Sequence, residues 1–225
     1  ESARRVREKA REIAASTLEA DPKDVEVTTG EFHVSGAPSR SVSFPQVARL
    51  AYGRGLPEGI EPGLEATEFF EQEDTAYAFG THAAVVAADP ETGELEIERY
   101  VAVDDCGVQI NPTIVEGQVH GGVAQGIGQA RYETAEYDDN GTLVTGSLQD
   151  YAVPTAAQLP ELSTDTPVTP SPTNPLGVKG VGEAGTIAAP PAVVNAVVDA
   201  LRPLGVEHVD MPLTAERVWR AAKDG

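Results

Sequence analysis

A glycine-rich stretch with helical character, residues 112–132, constrains the fold of this chain more than any other segment. Asn111 and Pro112 are typical of a helix start. Five glycines then fall inside the predicted helix: Gly117, Gly121, Gly122, Gly126 and Gly128. Glycine inside a helix costs about 1 kcal/mol relative to alanine, so we expect this helix to lie close against another backbone or a cofactor. Gln118 and His120 exclude the alternative, a small-residue face in lipid.

A second glycine-rich segment, residues 174–185, contains one acidic residue, Glu183. Its glycines let the backbone adopt conformations that other residues avoid and approach a ligand closely: Gly177, Gly180, Gly182 and Gly185. A carboxylate held in such a loop can act as a general base. The local sequence leaves an alternative open, in which Glu183 only lies near a helix start, where the helix dipole favours negative charge.

The same loop matches the dinucleotide-binding pattern G-x-G-x-x-G at residues 180–185. That pattern is informative only after a strand and before a helix, with an acidic residue about 20 positions later. Residues 169–175 contain three prolines and are unsuited to a central strand, because proline lacks the N–H donor. Pro190 and Pro191 interrupt the first turns of the helix that would have to follow. A nucleotide-binding oxidoreductase is therefore rejected.

The chain carries 36 Asp and Glu against 16 Lys and Arg, a formal net charge of −20. Nucleic-acid binding is excluded as a function class, because phosphate contacts need lysine and arginine. Apolar periodic segments recur throughout and indicate a folded protein rather than a disordered one. The pattern is typical of the carboxylate-rich surfaces of halophilic proteins, where high salt screens the self-repulsion.

The chain has one cysteine, Cys106, which excludes an internal disulfide and a Cys-x-x-Cys metal or cluster site. A single cysteine also predicts a reducing, cytoplasmic location. The four histidines have no metal-ligand spacing, so no protein-held metal is predicted. No apolar run approaches the roughly 18 residues needed to span a membrane, so no membrane insertion is expected.

Periodicity and turn signals predict an α+β chain. Predicted helices cover residues 2–19, Ser43 to Ala51, 112–132, Pro190–Pro191 to Leu201, and the Thr214 cap to Ala222. Predicted strands cover residues 25–27, 32–34, 83–88 and 95–103, and Asn140–Gly141 indicates a hairpin turn between two further strands. Residues 154–175 are proline-rich and are expected to form a long connection over the surface or over a partner.

Four segments occur in a characteristic order and spacing: residues 105–112, 116–129, 148–151 with Pro154, and 174–185. Together they resemble the molybdenum-binding large subunit of the xanthine dehydrogenase, aldehyde oxidase and carbon monoxide dehydrogenase family, the molybdenum hydroxylases. The resemblance runs along nearly the whole chain. It implies the mixed helices and β-sheets of the family's molybdopterin-binding domain. It also implies that residues 1–225 are the C-terminal portion of a longer subunit, with residues 61–225 binding the cofactor and residues 1–60 able to pack as a helix–hairpin subdomain.

The resemblance assigns roles to individual residues. Glu183 matches the family's catalytic glutamate, which accepts a proton from a molybdenum-bound hydroxyl, and Gln118 matches a glutamine that hydrogen-bonds the pterin. The remaining matches are cofactor-binding positions near the pterin, its pyrophosphate or the dinucleotide end: Gly121, Gly122, Cys106, Gly107, Asn111, Gly180 and Gly182. Cys106 does not match the copper-binding cysteine of carbon monoxide dehydrogenases. For Lys179 two roles stay open, a phosphate contact and support of the loop.

The resemblance implies oxidative hydroxylation of a small substrate, which is an aldehyde, a purine or other N-heterocycle, or carbon monoxide. The implied cofactor is molybdenum in molybdopterin cytosine dinucleotide. The remainder of the large subunit, an iron-sulfur subunit and a flavin subunit with FAD are the implied partners, and the isolated portion is expected to be inactive. The alternative is a non-catalytic assembly or scaffold protein that retains the fold.

Overall fold

A computed structural model of the chain describes residues 1–71 and 74–225. The chain divides into two compact units, Glu1–Glu71 and Gln72–Gly225. Both units combine helices with a three-stranded sheet, so the predicted α+β class is confirmed.

The first unit packs two helices against an antiparallel sheet. Helix α1 (Ser2–Thr17) precedes strands β1 (Val25–Thr28), β2 (Glu31–Val34) and β3 (Ala37–Ser43), and helix α2 (Phe44–Ala51) follows. Ser43 and Gln46 form a capping box at the start of α2, as the predicted Ser43 cap requires. The sequence missed β3, whose exposed residues do not alternate between apolar and polar. Ile13, Phe32 and Val47 are the largest fully buried side chains of this unit.

The second unit is built on a mixed sheet. Strand β4 (Phe79–Ala88) pairs antiparallel with β5 (Leu95–Asp105), and β5 pairs parallel with β6 (Leu162–Asp165). Both predicted strands therefore exist, but β4 begins four residues earlier than predicted and β5 ends two residues later. The interpretation of residues 154–175 as connection alone was wrong, because four of them form β6. Around Asn140–Gly141 the turn is present, but the flanking residues make only one isolated bridge and no strands.

Helices α3 (Pro112–Arg131) and α4 (Ala184–Leu201) pack against each other, and α5 (Ala215–Asp224) closes the chain after the Thr214 cap. Their shared core is apolar and includes Tyr100, Val119, Val123, Ile127, Val193 and Val197. The predicted start of α4 at Pro190–Pro191 was wrong, because both prolines lie inside the helix. Proline favours the first turn of a helix, which made it a misleading start signal.

By length and composition alone, residues Ala184–Leu204 are apolar enough to cross a membrane, so the expectation that no segment would qualify was wrong. In this chain the segment packs against α3 and β4 and contributes Ala189, Val193 and Val197 to the core. A core helix of a soluble protein passes the same test.

Acidic side chains lie almost entirely on the surface of the described chain, where Asp104 and Asp105 are the two that are buried. Repulsion among the exposed carboxylates opposes compaction, and it weakens as salt shortens the Debye length from about 10 Å to about 3 Å. We therefore expect the melting temperature to be higher in about 2 M KCl than in about 0.1 M KCl. Equal melting temperatures in the two solutions would rule out a halophilic adaptation.

Candidate functional site

Three glycines serve the contact between α3 and α4, two from α3 and one from the first turn of α4. A Cβ on Gly122 would lie 2.8 Å from Thr186 N, and one on Gly126 would lie 2.5 Å from Ala189 Cβ. Across the contact, a Cβ on Gly185 would lie 2.6 Å from the Val119 carbonyl oxygen. Such distances leave no room for a side chain, so glycine lets the two helix backbones approach each other here.

Other glycines of α3 face open space. A Cβ on Gly117 or Gly121 would have no neighbouring heavy atom within 4 Å. Gln118 lies between them and is exposed. A Cβ on Gly182, in the loop before α4, would lie 3.8 Å from Gln118 Oε1. The structure therefore brings the open face of α3 next to the loop that carries Glu183.

This division of the glycines predicts opposite effects for two adjacent substitutions. Gly122→Ala should lower the free energy of unfolding by about 1–3 kcal/mol, because the new methyl group would push α4 away. Gly121→Ala should raise it by up to about 1 kcal/mol, because alanine is the better helix former and the space is open. Urea unfolding of the cofactor-free protein measures both, and equal effects of the two substitutions would contradict the division.

Glu183 lies at the end of the loop, immediately before α4, and its side chain is exposed. The carboxylate makes no capping hydrogen bond to the helix, and no described residue donates a hydrogen bond to it or forms an ion pair with it. Glu183 therefore does lie at a helix start, as the alternative requires, but its side chain makes no capping hydrogen bond there. The carboxylate instead borders a cleft.

The cleft has a volume of about 430 Å³ and lies between the start of β4 and the start of α4. Residues 76–80 form one wall, and Gly180, Gly182 and Glu183 with the first turns of α4 form the other. Asp104, near the end of β5, also lines it. Two carboxylates, one exposed and one buried, therefore border the same space.

A buried ion pair fixes the loop to the end of β5. Lys179 Nζ lies 3.0 Å from Asp105 Oδ1, and the two side chains are 7% and 1% exposed. The ammonium also lies 4.4 Å from the centre of the Phe79 ring. Burial opposes ionisation of Asp105, but the nearby Thr169 side chain and the hydrogen bonds from Gly107 N and Lys179 Nζ outweigh it and lower the pKa of Asp105 to about 2. Of the two roles considered for Lys179, the structure shows support of the loop.

Backbone contacts reinforce this ion pair. Lys179 N donates to the Cys106 carbonyl at 2.8 Å, and Val108 N donates to the Gly177 carbonyl at 3.0 Å. Gly107 has φ +68°, and a Cβ there would lie 2.2 Å from the Gly177 carbonyl oxygen. Asn174 closes the loop by accepting from Val178 N and donating to the Val178 carbonyl. The loop that ends in Glu183 is thus held in place several residues before the carboxylate.

The predicted dinucleotide-end residues have structural roles of their own. Cys106 is buried, and burial together with the neighbouring Asp105 and Asp104 raises the pKa of its thiol. Asn111 caps α3, with its Oδ1 accepting from Ile114 N at 3.3 Å. The described residues contain no group of three or more His, Cys, Asp or Glu that could hold a metal ion.

Sequence reasoning missed a buried polar chain behind the cleft. His82 Nδ1 lies 2.8 Å from the Tyr100 hydroxyl, and His82 Nε2 lies 3.0 Å from Asp104 Oδ2. His82 lies on β4, and Tyr100 and Asp104 lie on the adjacent β5 at spacing four, which places them on the same face of the sheet. The alternation within β5 indicates that Tyr100 and Asp104 share one face of the strand. It does not reveal which residue of β4 lies beside them.

Comparison with known proteins identifies related sequences and folds. The family model described as "Molybdopterin cofactor-binding domain" matches residues 1–160. The chain is 42% identical to the carbon monoxide dehydrogenase large chain of Hydrogenophaga pseudoflava, covering 99% of this chain and 28% of that one. It is 44% identical to the nicotine 6-hydroxylase large subunit of Paenarthrobacter nicotinovorans, covering 97% and 27%.

The fold of the chain is also similar to that of solved structures. Reconstituted carbon monoxide dehydrogenase from Oligotropha carboxidovorans superposes with a TM-score of 0.86 at 38% identity, over 99% of this chain and 28% of that chain. The chain therefore spans little more than a quarter of the length of these relatives.

Proposed function

Since the chain belongs to the molybdopterin cofactor-binding domain family, we propose that it is part of a molybdenum hydroxylase large subunit, in which it binds the cofactor and supplies Glu183 as the catalytic base. One observation carries the proposal. Glu183 is an exposed carboxylate without a protein partner among the described residues, at the edge of a cleft and at the end of a fixed loop.

The open face of α3 fits a pterin. Gly117 and Gly121 leave space where side chains would otherwise stand, and Gln118 between them offers two N–H donors and a carbonyl acceptor to the edge of a heterocycle. Gly180 and Gly182 keep the facing loop free of side chains that would block the approach. We assign the pterin to this face, and the dinucleotide end, as cytosine dinucleotide, to the segment of Cys106, Gly107 and Asn111.

When bound, the molybdenum cofactor would supply the redox chemistry, taking up the two electrons released as an oxygen atom from water is added to the substrate. The residues of this chain bind, orient and move a proton. Gln118 holds the heterocycle edge, and the Lys179–Asp105 pair keeps the loop from shifting. Glu183 accepts a proton at its carboxylate during the reaction. Because that carboxylate has no other described partner, no protein contact must break before it acts.

The substrate is a small aldehyde, an N-heterocycle or carbon monoxide, the range spanned by the names of the relatives. Residues 1–225 alone are proposed to be inactive, because they span only 28% of the length of a relative and the remainder of the subunit is proposed to supply further walls of the site. A non-catalytic scaffold is disfavoured, since Gln118 and Glu183 are both present and both reach open space.

Electrons taken up by molybdenum must leave the large subunit. An iron-sulfur cluster usually needs four cysteine ligands, and this chain has one cysteine. We therefore propose iron-sulfur and flavin subunits as partners in a cytoplasmic complex; one relative is likewise described as a subunit of a dehydrogenase complex.

Purification of the complete native enzyme should yield iron and flavin together with the large subunit. Metal analysis and flavin absorbance measure both, and turnover is assayed with carbon monoxide, benzaldehyde, nicotine and hypoxanthine. A fully active preparation with neither iron nor flavin would contradict the proposed electron path and with it the proposed reaction.

A further inference from the structure

Asp104 borders the cleft beside Glu183, although its side chain is only 2% exposed. It lies directly opposite Gly80 in the antiparallel pairing of β4 and β5. A Cβ on Gly80 would lie 2.1 Å from Asp104 Oδ1, so any larger residue at position 80 would displace the carboxylate. The absence of a side chain at Gly80 therefore leaves the space that the Asp104 carboxylate occupies.

His82 and Tyr100 orient this carboxylate. Burial, and then the charge of Asp104, raise the pKa of Tyr100, so its hydroxyl keeps its proton and can donate. We assign the ring proton of His82 to Nε2, because Nδ1 can then accept from the Tyr100 hydroxyl while Nε2 donates to Asp104 Oδ2. Asp104 Oδ2 is thereby occupied, and the rotation of the carboxylate is fixed.

Asp104 Oδ1 remains without a donor among the described residues. Oδ1 lies beside Gly80, within 2.1 Å of the position of a Cβ there, and Gly80 and Asp104 both line the cleft. A carboxylate oxygen without a donor in a largely dry site is unfavourable, and a ligand that brings a donor relieves this.

We propose that Asp104 Oδ1 accepts a hydrogen bond from an N–H or O–H group of the small molecule that occupies the cleft beside Glu183. The inference rests on the proposed function in that this molecule is the pterin cofactor or the substrate. Both sources carry the same chemistry, the N–H groups of the pterin and an N–H or O–H group of an organic substrate.

The test is Asp104→Asn in the complete enzyme with its partner subunits. The amide keeps the shape of the side chain, and its oxygen still accepts from His82 Nε2, but an NH₂ donor replaces the acceptor that faces the cleft. Asp199→Asn is the matched control. It makes the same chemical change, from carboxylate to amide, at a side chain of α4 that is 69% exposed.

Two measurements distinguish the sources. Bound pterin and molybdenum are measured per large subunit, and kinetic constants are measured with hypoxanthine, which has ring N–H donors, and benzaldehyde, which has none. For a compound that the enzyme turns over, the constant is its KM. For a compound that is not turned over, it is the inhibition constant. A cofactor donor predicts that Asp104→Asn lowers pterin content about 10-fold or more. A substrate donor predicts unchanged pterin content, an hypoxanthine constant raised about 10-fold or more, and an unchanged benzaldehyde constant.

The proposal is overturned if pterin content and both constants of Asp104→Asn stay within about twofold of the Asp199→Asn control. The proposal is also overturned if the only effect of Asp104→Asn is a lower melting temperature. The hydrogen-bond donor to Asp104 Oδ1 would then belong to another part of the protein and not to a bound small molecule. If Asp104→Asn does not fold, Gly80→Ala displaces Oδ1 while keeping all three polar side chains, and the same readouts apply. Failure of the proposed function is separate, since it would appear as full turnover in Glu183→Gln.

Discussion

Glu183→Gln in the complete enzyme is expected to lower kcat by about 10²- to 10⁴-fold while molybdenum and pterin content stay near wild type. Glutamine has nearly the same shape as glutamate but cannot accept the proton. The loop should keep its position, because Lys179 and Asn174 hold it through residues other than Glu183. Steady-state kinetics and metal analysis of the same preparation measure the two quantities.

Glu207→Gln is the matched control, because Glu207 is exposed and no described residue pairs with its side chain. It should leave kcat and cofactor content unchanged. If Glu183→Gln retains the kcat of this control, Glu183 is not the base. A parallel loss of molybdenum in Glu183→Gln would instead assign the residue to cofactor retention.

Lys179→Met should destabilise the protein by about 3–5 kcal/mol, since it leaves the Asp105 carboxylate buried without its cation. Lys223→Met is the control, because Lys223 is exposed in α5 and should change the free energy of unfolding little. Urea unfolding at neutral pH measures both variants. Equal stabilities of the two variants would show that the ion pair does not hold the loop.

The effect of Lys179→Met should depend on pH. The pKa of Asp105 is lowered from 3.8 to about 2 in the folded protein, so the stability that this carboxylate contributes is present above about pH 4. That stability is lost as the pH falls through about 4 toward 2. The gap between wild type and Lys179→Met should therefore narrow at acid pH, and a gap that widens there would contradict the ion-pair explanation.

The local elements with strong end signals could be predicted from sequence. Asn111–Pro112 identified the start of α3, Ser43 the start of α2, and Thr214 the start of α5, because caps act within a few residues. Elements that depend on distant partners could not be predicted. Strand β6 has four residues and exists through parallel pairing with β5, about sixty residues earlier in the chain. The start of α4 depends on Gly185 packing against α3, which overrides the proline signal.

The candidate site shows the same division. The glycines of α3 predicted close packing, but the choice between a helix and a cofactor as the neighbour needed the three-dimensional contacts, which separate Gly122 from Gly121. The two roles of Lys179 were likewise equivalent in sequence, because its partner Asp105 lies 74 positions away. The hydrogen-bonded series Tyr100–His82–Asp104 could not be predicted from sequence either, because it depends on the register between β4 and β5.

The most direct test of the proposed function is the molybdenum and pterin content of the complete enzyme, measured for wild type and for Gln118→Leu. Leucine retains the size of the side chain but removes the donors and the acceptor that Gln118 offers on the open face of α3. We expect equimolar molybdenum and pterin in the wild-type large subunit and a clear loss of both in Gln118→Leu. Active wild-type enzyme without molybdenum, or Gln118→Leu with wild-type cofactor content and cofactor affinity, would contradict cofactor binding at this face.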